Sequence, residues 1–362
     1  MEKRDIFVVY GDKIREMTRQ LMDAARITEM IGDKNKRIGL KPNLVVAAKP
    51  ETGATTHPEI AAAAIEYLQE KGFHNLVILE GSWVGDRTSY AFKLCGWDRL
   101  AAKYGVELID TQKDSYKSYD CKGLRLDICD SAMAVDFMIN LPVVKGHCQT
   151  VVTCSLKNNK GIIPNREKRH FHSLGLHKPI AHLNTRVRND FILVDAICGD
   201  LDFEEGGNPV PMHRMYAACD PVLCDSYACS LMGHDISEVP YIGLAERLGV
   251  GTSDLTKAKI TELNHPSAGG TIRLSRRVEN LAKKAEPKDA CSACYAGLIH
   301  ALARMEESGD LRRLKNKICI GQGYKGQTGK LGVGNCTCLF EHYVKGCPPK
   351  ADEVLDFLME QR

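Results

Sequence analysis

The sequence predicts an α/β fold, a largely parallel sheet flanked by helices, followed by a small C-terminal cysteine-rich domain. Three observations carry this expectation. Short apolar runs alternate with amphipathic segments through the first two thirds of the chain, the pattern of successive βα units. A polar stretch over residues 251–286, carrying Arg276, Arg277, Lys283 and Lys284, then reads as a transition between domains. Beyond it Cys291, Cys294, Cys319, Cys336, Cys338 and Cys347 crowd the C-terminus. The expected division is an α/β domain over residues 1–280 and a cysteine-rich domain over 281–362.

Each element follows from a local pattern. Strands are predicted at Ile6 to Tyr10, Arg37 to Leu40, Leu76 to Leu79, Val106 to Ile109, Phe137 to Leu141 and Phe191 to Val194, each a short apolar run. Pro58 to Glu70 reads as a helix, with proline in its first turn and Ile60, Ala64, Ile65 and Leu68 on one face. Trp97 to Tyr104 is a second helix, closed by Gly105. Toward the C-terminus, Lys288 to Met305 reads as a helix, Lys317 to Ile320 as a strand and Gly321 to Gly334 as a glycine- and lysine-rich loop. Ala351 to Met359 is the closing helix.

Composition narrows the function. Lys and Arg number 49 against 46 Asp and Glu, a net charge of +3 that gives no reason to expect a nucleic acid or membrane-surface partner. No apolar run approaches the ~18 residues that span a bilayer, and the start of the chain does not resemble a signal peptide. A soluble, cytoplasmic protein is expected. Fifteen cysteines, an odd number spread through apolar segments, fit reduced thiols better than a disulfide framework. No Gly-x-Gly-x-x-Gly follows a strand, so NAD is not expected.

The C-terminal cysteines need a chemical reason. Cys291-Ser-Ala-Cys294 is a Cys-x2-Cys pair, followed by Cys336 and then by Cys347-Pro348-Pro349. Two thiolates at this spacing reach one soft metal centre, and proline after the last cysteine recurs in iron–sulfur ligation. A zinc ribbon would want a second tight pair, which is absent, so an iron–sulfur cluster is favoured over zinc and over unligated thiols. Cys338 rivals Cys336 for the third position, and Cys319 reads as a buried strand thiol.

Several segments together resemble the uncharacterised domain of unknown function 362 family. They are Lys41-Pro42-Asn43, Thr56-His57-Pro58, Glu80-Gly81-Ser82, Asn140-Leu141-Pro142 with Lys145 and His147, Ser155-Leu156-Lys157-Asn158 with Gly161, and the cysteine-rich tail ending Gly346-Cys347-Pro348-Pro349. The resemblance implies an α/β domain and, in many members, a cysteine-ligated [4Fe-4S] cluster, with no agreed reaction. It also implies a third ligand after Gly-Asn, which favours Cys336 over Cys338.

Polar residues follow three of the predicted strands: Lys41 and Asn43, Glu80 and Ser82, then Lys145 and His147. Strand ends of such sheets converge on one edge, where ligands bind. Lys41 and Lys145 would hold a carboxylate or phosphate, and His147, His57 and Glu80 would move a proton. Asn43, Ser82, Lys157 and Asn158 complete the expected binding set, although Asn43, Ser82 and Thr56 equally suit capping of helices and turns. A second group, Arg166, Arg169, His170, His172, His177 and His182, reads as partly extended. His170 and His172 would then face one way and offer a second metal site.

The leading expectation is a cytoplasmic iron–sulfur redox protein. Its [4Fe-4S] cluster on Cys291, Cys294, Cys336 and Cys347 would pass single electrons to a small anionic substrate at the sheet edge, and a redox partner protein would supply them. Gly321 to Gly334 would cover that edge as a lid. Two other readings stay open. One is a racemase or isomerase of a small hydroxy or carboxylic acid, with His57 and His147 as paired acid and base and Lys41 or Lys145 on the carboxylate; Lys157 with His147, His170 and His172 also weakly resembles the nickel-pincer lactate racemases, although Cys154-Ser155-Leu156 replaces their glycine-rich approach. The other is a non-enzymatic electron carrier.

Overall fold

The computed structural model describes residues 1–265 and 277–362. The chain divides into two compact units, Met1–Lys168 with His177–Leu274, and Arg169–Leu176 with Ser275–Arg362. The strands of the first unit are β1 (Asp5–Tyr10), β2 (Ile38–Pro42), β3 (Leu76–Glu80), β4 (Glu107–Asp110), β5 (Tyr116–Asp120), β6 (Arg125–Cys129), β7 (Phe137–Leu141), β8 (Lys145–His147), β9 (Val151–Thr153), β10 (Phe191–Asp200), β11 (Pro209–Ala218) and β12 (Lys259–Glu262). Eight of them form one sheet in the order β12-β1-β11-β10-β7-β2-β3-β4.

All neighbouring pairs in that sheet are parallel except those made by β11, which runs antiparallel to both β1 and β10. The expected largely parallel sheet is therefore present. Every residue of β2, β3 and β7 is buried, which is why these strands read as largely apolar runs rather than alternating ones, interrupted only toward their carboxyl ends by Lys41, Glu80 and Asn140. On one face of the sheet Ile38, Leu40, Ile139, Leu141 and Leu193 pack with Met17, Leu21 and Met22 of the helix Ile14–Ala25, and with Ile60, Ala64, Ile65 and Leu68 of the helix Pro58–Glu70. Trp97 from the helix Trp97–Tyr104 completes this core, and Gly105 ends that helix in the left-handed conformation with φ 65°.

Strand order reverses across the middle of the sheet. From β2 the order runs outward through β3 to β4, whereas β7 and β10 lie on its other side. The pairs Lys41↔Asn140 and Pro42↔Leu141 thus stand at the carboxyl ends of β2 and β7, on a topological switch point.

The second unit holds a separate small parallel sheet, β13 (Ala285–Pro287), β14 (Ile318–Ile320), β15 (Leu331–Val333) and β16 (His342–Val344), in that spatial order. With it stand the helices Ser292–Glu307 and Ala351–Glu360.

Three local expectations differ from the structure. Residues 266–276 of the polar transition, Arg276 among them, lie outside the described residues, but Lys259–Glu262 is the edge strand β12, mostly exposed and therefore without an apolar signature. The glycine- and lysine-rich loop contains β15, whose three residues are too few to show a period. His170 and His172 lie on the helix Asn165–Ser173 rather than an extended segment, so they point to opposite sides, His170 exposed and His172 buried.

Trp97→Ala, by emptying a fully buried indole site, is expected to cost about 3–5 kcal/mol in denaturant unfolding followed by circular dichroism. Trp97→Phe should cost less, since it fills most of the volume and removes an indole N–H that has no acceptor among the described residues.

Candidate functional site

The C-terminal ends of β2 and β3 place two opposite charges in the interior. Lys41 Nζ lies 2.6 Å from Glu80 Oε2, with both side chains essentially inaccessible. Lys41 also donates to Pro42 O at 2.8 Å and Asn158 Oδ1 at 3.4 Å. Glu80 accepts in addition from Gly81 N at 2.6 Å and Leu44 N at 3.3 Å. Burial pulls the Lys41 ammonium below its usual range, and Glu80 works against that pull. Gly161 covers the pair so closely that a Cβ there would stand 2.0 Å from Glu80 Oε1 and 2.5 Å from Lys41 Nζ, so only glycine fits.

Lys145, at the start of β8, is equally enclosed. Its ammonium donates to Asn43 Oδ1 at 2.8 Å, to Glu204 O at 2.8 Å and to Ala54 O, which accounts for all three of its N–H groups. Burial pushes it down to about 7. At the end of β8, His147 Nδ1 accepts from the backbone N–H groups of Gln149 and Thr150, both at 3.0 Å. The proton of the neutral ring must therefore sit on Nε2, which faces Glu204 Oε1 at 3.0 Å. Burial takes His147 down to about 4, so the ring is neutral at neutral pH. The turn that aims the two N–H groups ends at Val151, a β-branched residue at φ 64°, a strained conformation that costs on the order of 1–3 kcal/mol.

Glu204 joins these groups, and the sequence reading missed it. It lies in the β10–β11 connection, where Asp200 accepts from the N–H groups of Asp202, Phe203 and Asn208 at 2.8–2.9 Å. Its second oxygen pairs with Lys157 Nζ. Burial alone would raise the Glu204 carboxyl, but its neighbours hold it well below the usual range. With His147 neutral, Lys157 and Lys145 supply the positive charge that does so. The one available signal was an acidic pair directly ahead of Gly206-Gly207, which marks a tight turn.

Asparagine amides carry the network onward. Asn43 Nδ2 donates to Asn158 Oδ1 at 2.9 Å, Asn158 Nδ2 to Asn140 Oδ1 at 2.7 Å, and Asn140 Nδ2 to Asn189 Oδ1 at 2.9 Å. Lys41, Asn43, Glu80, Lys145, His147, Lys157 and Asn158 thus belong to one connected set. Ser82 does not share in it, since its hydroxyl donates to Leu44 O at 2.7 Å. Thr56 ties the two switch-point strands instead, accepting from Asn43 N at 2.8 Å and donating to Leu141 O at 2.7 Å. Lys168, also missed, is buried with Nζ on Gly81 O at 3.0 Å and Ser82 O at 2.8 Å, and burial takes it down to about 8.

His57 forms a separate dyad. Its Nδ1 and its backbone N–H both lie 2.8 Å from Asp195 Oδ2, on β10. Burial lowers the imidazole, but the Asp195 carboxylate overcomes this, and His57 stands above its ordinary value. Nε2 is the ring nitrogen left to exchange a proton.

In the second unit, Cys291, Cys294, Cys336 and Cys347 act on one another electrostatically. Burial first, and then the other three thiols, push Cys294 up to about 12, and burial with Cys336 and Cys347 raises Cys291. Cys338 acts on Cys336 but not on Cys294. Asn335 clamps the two later cysteine segments together: its N–H donates to Gly346 O at 2.9 Å and its Oδ1 accepts from Gly346 N at 2.8 Å. Cys319, on β14, is half-buried with its Sγ 3.7 Å from Glu286 Oε2.

Comparison with known proteins agrees with the resemblance read from the motifs. Residues 38–230, just over half of the chain, match the domain of unknown function 362 family, and the chain belongs to it. The match ends before the C-terminal cysteines. A thylakoid-associated protein of Synechocystis sp. is 24% identical over 247 residues, 64% of this chain and 73% of that protein. The lactate racemase apoprotein of Thermoanaerobacterium thermosaccharolyticum superposes with a TM-score of 0.40 at 13% identity over 64% of this chain, which spans 57% of that one. Among the described residues no helix is long and apolar enough to cross a membrane.

Breaking the buried pair from either side, with Lys41→Met or Glu80→Gln, is expected to cost about 3–5 kcal/mol by denaturant unfolding, and the double variant less than the sum. The His57–Asp195 dyad makes a different mark. Because His57 is raised on folding, its stabilisation is complete below the unfolded value of about 6.5 and is lost as pH rises through the folded value. Urea midpoints measured from pH 6 to 9 should show this decline in the parent protein and not in Asp195→Asn.

Proposed function

We propose that this member of the domain of unknown function 362 family is a cytoplasmic iron–sulfur redox protein, with Cys291, Cys294, Cys336 and Cys347 as ligands of a [4Fe-4S] cluster. The observation that carries the reading is the convergence of those four thiols within one unit. The donor set suits the group, since four thiolates are what such clusters take. A cytoplasmic, reducing setting is supported by fifteen free thiols. When bound, the cluster supplies one-electron transfer, and a redox partner protein would exchange those electrons.

The α/β unit would hold a small anionic substrate at the switch point. Lys41 and Lys145 have spent their donors on protein oxygens and serve as framework. Among the described residues Lys157 has only Glu204 as a partner, and it retains N–H groups for a carboxylate or phosphate. His57, polarised by Asp195, would give or take the proton. His147, locked as a neutral ring, would orient Glu204 rather than exchange protons itself. This weakens the racemase reading, which requires His57 and His147 as paired acid and base.

Anaerobic purification should yield a brown protein with about four iron and four sulfide per chain. Cys336→Ser should abolish this content and Cys338→Ser should leave it intact. A colourless protein carrying stoichiometric zinc would overturn the reading.

A further inference from the structure

One of the four sulfurs has a hydrogen-bond donor of its own. Gln322 Nε2 lies 3.6 Å from Cys291 Sγ. A carboxamide can present either its oxygen or its nitrogen to a neighbour, and here Lys325 settles which. Lys325 Nζ lies 3.4 Å from Gln322 Oε1, and an ammonium can only donate, so the amide oxygen must face the lysine. The NH2 group is thereby turned toward the sulfur.

The backbone beneath this amide is held firmly. Gln322–Tyr324 is a single helical turn directly after β14, with Gln322 N on Asp289 O at 3.1 Å and Gly323 N on Lys288 O at 3.0 Å. These bonds tie the turn to the segment that leads into Cys291. Gly321, at φ 121°, makes the approach possible, since a Cβ there would stand 2.0 Å from Lys288 O. Tyr324 anchors the far end, buried edge-on against Phe340 with ring centroids 5.7 Å apart.

We propose that Gln322, oriented by Lys325, is a tuning residue for the four-cysteine centre. It donates to Cys291 Sγ and so favours the more negative, reduced state. Hydrogen bonds to ligand sulfurs and nearby charge are the general means by which a protein sets the potential of such a centre. The proposal rests on the iron–sulfur reading, and the two can fail separately.

The test uses the full-length protein, purified anaerobically, with iron and sulfide content measured first. The midpoint potential is then followed by electron paramagnetic resonance as dithionite supplies the electrons. Gln322→Leu and Lys325→Met should each retain iron and sulfide and shift the midpoint to lower potential. The double variant should fall by less than the sum, because Lys325 acts partly through the amide. Raising the salt concentration should shrink the effect of Lys325→Met and leave that of Gln322→Leu, since exposed charges are screened. Should Gln322→Leu fail to assemble the centre, Lys325→Met carries the test alone. Full metal content with an unchanged midpoint would overturn the proposal, and strictly additive shifts would overturn the orienting role of Lys325. A parent protein without iron or sulfide would overturn the underlying reading instead.

Discussion

Four lysine ammonium groups, Lys41, Lys145, Lys157 and Lys168, are buried in the α/β unit, and its polar interior is arranged around satisfying them. An unpaired charge in such a place is prohibitive, so each is met by carboxylates or by oxygens of the backbone and of asparagine side chains. Glu80 answers Lys41, and Glu204 answers Lys157. Lys145 and Lys168 receive carbonyl and amide oxygens rather than carboxylates, which is why burial brings them down to about 7 and about 8. The carboxylates themselves depend on local backbone: Glu80 on the N–H groups of Gly81 and Leu44, and Glu204 on a turn organised by Asp200.

This arrangement separates framework from function. A lysine whose three donors all point at protein oxygens has nothing left for a ligand, whatever its position on the sheet. Lys157 differs because a single carboxylate occupies it, and His57 differs because its dyad leaves one ring nitrogen over. The same accounting removes His147 from proton transfer: two backbone donors on Nδ1 fix its tautomer. A strained Val151 is the local cost of that fixation.

The second unit gathers thiols rather than charged side chains. Burial and neighbouring thiols raise the proton affinity of Cys291, Cys294 and Cys336, so a cation or cluster that takes their thiolates must draw out those protons. Asn335 nevertheless holds the Cys336 and Cys347 segments together through reciprocal bonds with Gly346. Gln322 and Lys325 supply compensating positive character beside Cys291.

The amino-acid sequence by itself determined the parallel sheet, because strands buried on both faces must be largely apolar, as Ile38–Pro42, Leu76–Glu80 and Phe137–Leu141 are apart from Lys41, Glu80 and Asn140 at their carboxyl ends. It also determined the helix Pro58–Glu70 through its apolar face, and most of the polar set, since Lys41, Glu80, Lys145 and His147 stand at or just after strand ends. Short or exposed elements left no period to read, so β12 and β15 were invisible, and the alternation of His170 and His172 imitated a strand on what is a helix. The tertiary structure alone decided partnership. Glu204 lies 47 residues from Lys157 and Asp195 lies 138 from His57, and no local pattern encodes an ion pair closed across such distances. Which lysines are spent, which tautomer His147 holds, and which way the Gln322 amide points are all set by partners that only folding brings within hydrogen-bond reach.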